Sequence, residues 1–196
     1  MKRKPSSRDL HLPLIERAYL AFAHVTRPIK LDYSPYKDAV SIERLLSTPK
    51  RDIADADIGY YSSSALTTVG NAEDYRFFLP RILETIINDV EWREPSITVD
   101  RLEMAGWTAW SAEERDIILE VAELAAARDE VRDAEYREQF QVETDEEDTE
   151  SWVFQLKRLR AMPVPETTNA KQKNPPRRHK WVKRRRALGG EDWTDS

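Results

Sequence analysis

Nine lysines and arginines fall within residues 171–186: Lys171, Lys173, Arg177, Arg178, Lys180, Lys183, Arg184, Arg185 and Arg186. Trp181 stands among them. Cations at this density contact phosphates, and a ring between them stacks on bases. The pattern suits weakly sequence-specific nucleic-acid binding through Arg177, Arg178, Trp181, Lys183, Arg184, Arg185 and Arg186. Two other origins fit the same residues: a tail whose charge is matched against an acidic body, and a stretch translated from a shifted reading frame.

Elsewhere the residues that do chemistry are scattered. The chain has no cysteine, which excludes disulfides, thiolate catalysis and zinc–sulfur sites. His11, His24 and His179 stand alone, whereas transition-metal ligands cluster, so neither metal nor cofactor is expected. His24, with a carboxylate brought near by folding, is the first candidate for acid–base work if any exists. Ser62, Ser63 and Ser64 lack the glycine elbow and adjacent base of a nucleophilic serine and read as a polar helix face or turn. Asp52, Asp55 and Asp57 lack the glycine and closing glutamate of a calcium loop and read as helix-start acids. No catalytic residue is assigned.

Around these residues the charge divides sharply. The first 150 residues hold 19 of the 31 basic side chains and 32 of the 36 acidic ones, a formal −13. The remainder carries an excess of cations and few apolar residues to bury. No apolar run reaches the roughly 18 to 20 residues that span a bilayer. No signal-type apolar stretch follows the basic start at Lys2, Arg3 and Lys4. The expectation is a cytoplasmic protein that does not enter a membrane.

The positioning elements read as helices. Leu14, Ile15, Ala18, Tyr19 and Phe22 form one buried helical stripe, starting near Pro13 and ending by Arg27, because Pro28 follows. Ile42, Leu45 and Leu46 suit a short helix capped by Asp38 or Ser41. In Ile53–Val69, Tyr60, Tyr61, Leu66 and Val69 suit inward positions, and Gly70 suits a left-handed helix end. Asn71 starts the most apolar segment, Tyr75 to Val90, which Pro80 should kink or split. Ile97, Arg101, Leu102 and Ala105 form a short helix closed by Gly106. Trp107 and Trp110 follow on a loop; they cover the core and offer an exposed aromatic patch to a partner. Ser111 and Glu114 make a capping box, opening a helix through Ile117, Ile118, Val121 and Leu124 that runs on, largely solvated, toward residue 140.

Three stretches carry a resemblance: Ala21–His24 with Arg27-Pro28; Glu43–Pro49 with Arg51-Asp52; and Ser64–Ile82, the most specific. With Ala105-Gly106-Trp107 and Trp110, they resemble a group of uncharacterised bacterial all-helical proteins over about residues 14–125. Members often carry a Cys-Pro-Cys-Cys stretch where this chain has Ser34-Pro35-Tyr36-Lys37. Any metal or redox role of those cysteines is therefore absent here, and the resemblance implies no activity. The basic arm lies outside it.

The expected architecture is an all-α, single bundle of about five to seven helices with a disordered basic C-terminal tail. Residues 1–12 read as a mobile leader, 13–143 as the helical domain and 144–150 as an acidic linker. Residues 151–161 read as a short amphipathic helix and 162–196 as the disordered, proline-rich tail. The function this implies is a non-enzymatic protein-interaction module with a protein partner not specified by the sequence. Nucleic-acid binding through the arm is the alternative.

Overall fold

A computed structural model describes residues 7–89, 94–141 and 148–165. Among them lie seven α-helices: α1 (Ser7–Ala21), α2 (Ala39–Ser47), α3 (Asp55–Ser64), α4 (Ala72–Ile87), α5 (Pro95–Met104), α6 (Ala112–Phe140) and α7 (Trp152–Ala161). Short 3-10 turns at Lys50–Asp52 and Trp107–Ala109 precede α3 and α6. The helices form one compact unit, and the expectation of an all-α bundle holds. No described helix is long and apolar enough to cross a membrane.

The core is built on α4. Tyr75, Phe78, Leu79, Ile82, Leu83 and Ile87 are fully buried, and α1, α3 and α6 pack around them. Asn71 accepts the backbone N–H groups of Glu73 and Asp74, while Asp74 accepts that of Asn71, so the helix starts with both partners of a capping box satisfied. Of the two alternatives for Pro80, the split does not occur: α4 runs unbroken from Ala72 to Ile87. Pro80 removes one backbone donor from a helix whose apolar side chains are buried on both sides of it, and that burial outweighs the loss.

Other boundaries also differ. α1 begins at Ser7, ahead of Pro13, so part of the expected leader is helical and Pro13 lies inside the helix. Gly70 is left-handed at φ 68°, but it does not close α3, which ends at Ser64. Instead it sits in the turn leading to α4, where its N–H donates to Asp32 O at 2.7 Å. Gly106, at φ 70°, does follow α5 as expected.

α6 starts on the capping box of Ser111 and Glu114 and reaches Phe140 as expected. The short helix expected over 151–161 is α7, and its Trp152, Leu156 and Leu159 are buried against α6 and α5. Asp129 of α6 accepts the Trp152 N–H at 2.6 Å, and Ser151 caps the helix through Phe154 N–H, so both secure the start of α7.

Candidate functional site

The sequence left His24 waiting for a carboxylate, and folding supplies Glu114. His24 Nε2 lies 3.7 Å from Glu114 Oε1. That carboxylate is fully committed elsewhere. Arg76 of α4 grips both its oxygens at 2.7 Å, and the Ser111 hydroxyl and backbone N–H donate to Oε2 at 2.8 and 3.0 Å. Burial opposes the charge on Glu114, but the bonds from Arg76 and Ser111 outweigh it and hold its pKa below the ordinary carboxylate range. A carboxylate stabilised as an anion in this way is a poor proton acceptor. The cluster is a buried ion pair with an exposed imidazole at its edge.

The serine run behaves as the polar end of α3. Ser62 and Ser63 hydroxyls donate to Gly59 O and Tyr60 O, and Ser64, 5 % exposed, accepts a 2.6 Å bond from Lys37 Nζ. Asp55 and Asp57 stand in the first turn of α3, pairing with Arg81 and Arg44. Among the described residues no group of three or more His, Asp or Glu side chains is placed to hold a metal ion.

Trp107 and Trp110 correct the sequence reading. They are 2 % and 9 % exposed, so they form no exposed aromatic patch. Trp107 Nε1–H points to Met162 Sδ at 3.1 Å. The Trp110 ring meets Phe22 edge-on at 6.0 Å and carries the Arg76 guanidinium at 5.1 Å. Gly106 turns the chain inward just ahead of them, and the apolar ring area is better buried than presented to water. Arg177, Arg178, Trp181, Lys183, Arg184, Arg185 and Arg186 lie outside the described residues.

An exposed pair of aromatic rings lies on α6 instead. Beyond Glu130 every residue of this helix to its end is exposed, so its last turns extend past the bundle. Tyr136 and Phe140, one turn apart, are about half exposed, and their ring centroids lie 4.7 Å from each other. Val131 is also exposed. Between this overhang and the start of α7 lies a cleft of about 370 Å³, lined by Asp89, Asp129, Arg132, Asp133, Tyr136, Asp148 and Glu150 among others. A second hollow shares Asp133, Tyr136 and Asp148 and extends to Glu130, Arg137, Phe154 and Lys157.

The charges of this groove divide by role. Asp129 and Asp89 hold Arg132, and Asp129 also holds the α7 start. The Asp148 carboxylate accepts Glu150 N–H at 2.9 Å. Among the described residues, the carboxylates of Glu130, Asp133 and Glu150 make no hydrogen bond or ion pair. Sequence reading anticipated a solvated helix here but not the groove, because α7 provides the opposite wall only after folding. No family model, curated protein or solved structure matches the chain.

Proposed function

We propose that this protein is a non-enzymatic interaction module whose groove between the α6 overhang and α7 receives a cationic segment of a partner protein. One observation carries the reading: a pair of exposed aromatic rings, Tyr136 and Phe140, stands on a helix end beside a groove in which carboxylates outnumber cations. Rings with a large contact area and few rotatable bonds anchor interfaces at low entropic cost, and the surrounding charge steers a partner of opposite sign. The Glu114 cluster, by contrast, is saturated internally by Arg76 and Ser111.

The test titrates the full chain with two labelled helical peptides of one apolar pattern, one lysine-rich and one glutamate-rich, read by fluorescence anisotropy. The lysine-rich peptide should bind, and binding should weaken about tenfold or more between about 50 and 200 mM salt if several charges are engaged. The D133K/E150K variant should bind it about tenfold less tightly. Equal binding of both peptides, or an unchanged variant, contradicts the proposal. The alternative, nucleic-acid binding through Arg177, Arg178, Trp181, Lys183, Arg184, Arg185 and Arg186, rests on the sequence of the arm. The −13 charge of the first 150 residues opposes a second phosphate contact on the helical body.

A further inference from the structure

We propose that Met162 is a site of stereoselective sulfoxidation by a hydroperoxide, and that the oxidised side chain releases the last turn of α7. Met162 caps the C-terminal end of α7, its backbone N–H donating to Leu159 O at 3.3 Å. Its side chain is half-buried against the core, and its Sδ accepts the Nε1–H of Trp107 at 3.1 Å. Trp107 is 2 % exposed, so this thioether replaces the water that the indole donor gave up on folding.

A thioether sulfur carries a lone pair on each side of its C–S–C plane, and oxidation at one or the other gives opposite sulfoxide epimers. The indole N–H occupies one side. A separation of 3.1 Å between nitrogen and sulfur leaves no room for an oxygen there. Oxygen is therefore delivered to the opposite lone pair, which attacks the terminal oxygen of the hydroperoxide. The S–O bond forms and the O–O bond breaks. The alkoxide or hydroxide leaves with the electron pair and takes the proton from the transferred oxygen. The sulfur is oxidised by two electrons, and the peroxide is reduced to an alcohol or water.

The product cannot keep the contact that directed the reaction. Its sulfur is electron-poor and its oxygen points away from Trp107, so the buried indole N–H loses its acceptor. A polar S=O also replaces an apolar group at the end of a helix of ten residues, too short to hold its last turn without packing. The start of α7 is fastened separately, Asp129 accepting the Trp152 N–H at 2.6 Å. The C-terminal turn therefore opens while the groove keeps its α7 wall, whatever that groove binds. Enzymatic reduction of the sulfoxide restores the contact.

The test uses the full chain carrying Met104→Leu, since Met104 is 53 % exposed and reacts as well. The folded protein and the protein in urea are treated with hydrogen peroxide, quenched and digested. The peptides are then incubated with either of the two epimer-specific methionine sulfoxide reductases and measured by mass spectrometry. From the folded chain, one reductase should clear most of the Met162 sulfoxide and the other little. From urea, each should clear about half. Amide exchange of the intact oxidised protein should be about tenfold faster over residues 156–161 and unchanged in α4. Adding Met162→Leu should remove that response to peroxide. Three results overturn the assignment: a Met162 that stays reduced in the folded chain, equal clearance of the folded sample by both reductases, or exchange at the end of α7 that peroxide leaves unchanged.

Discussion

Arg76 and Glu114 join α4 to α6 through two parallel bonds of 2.7 Å, the carboxylate fully buried and the guanidinium 16 % exposed. Glu114 also closes the capping box of α6. One side chain therefore both starts a helix and ties it to the core, and its loss leaves Arg76 as a poorly solvated cation.

Glu114→Gln should destabilise the protein by about 3 kcal/mol, the lower end for breaking a buried pair. The pH dependence has a definite sign. The folded pKa of Glu114 is below its ordinary value of 4.5, so its contribution is present above 4.5 and is lost as pH falls through the lower folded value. Urea unfolding of wild type and variant from pH 7 to 3 should give a constant difference near neutrality that narrows below 4.5. A difference that widens in acid would contradict this account of the pair.

Tyr61 is fully buried against Phe78, ring centroids 4.7 Å apart, and its hydroxyl has no hydrogen-bond partner among the described residues. A buried hydroxyl without a partner costs about 1 to 3 kcal/mol. Tyr61→Phe keeps the ring contact and removes that penalty. Its melting temperature should equal or exceed that of wild type, and a fall of several degrees would reveal a bond that the hydroxyl makes.

Gly70 has little room for a side chain. A Cβ at this residue would lie 3.1 Å from both the Cβ and Oδ2 of Asp74, and φ is 68°. Asp74 is the acceptor that closes the α4 capping box. Gly70→Ala should therefore cost about 1 to 3 kcal/mol, combining left-handed strain with a displaced cap. Chemical denaturation measures it directly, and a neutral substitution would contradict the geometry.

Much of this fold is legible in sequence because the helices carry their own punctuation. Asn71 and Ser111 mark the starts of α4 and α6, Gly106 the turn after α5, and the apolar spacing of Tyr75 to Ile87 the core. Pro13 misleads, and Pro80 does not split its helix, because local cost is weighed there against tertiary burial, which sequence does not display. The two tryptophans mislead for a related reason. A loop position suggested exposure, while the left-handed turn at Gly106 directs the rings inward. The groove was illegible because its walls are set by the pairing of Asp129 with the α7 start, a contact between residues 23 apart in the chain.

The basic arm has its own signature. If Arg177, Arg178, Lys183, Arg184, Arg185 and Arg186 contact phosphates, affinity for single-stranded DNA and RNA should fall steeply with salt, by about 0.7 in log K per log salt for each phosphate neutralised. Replacing these six by glutamine should abolish that slope, and Trp181→Ala should weaken binding while leaving the slope nearly unchanged. Filter binding at two salt concentrations decides it; equal, weak binding by wild type and variant rules the arm out as a nucleic-acid ligand.

The most direct measurement of the interaction reading is amide chemical-shift mapping of the full chain during titration with the lysine-rich helical peptide. Shifts concentrated at Glu130, Asp133, Tyr136, Glu150 and Trp152, and lost in the D133K/E150K variant, are the result the groove requires. Shifts spread evenly over the acidic surface, or centred away from the junction of α6 and α7, would contradict it.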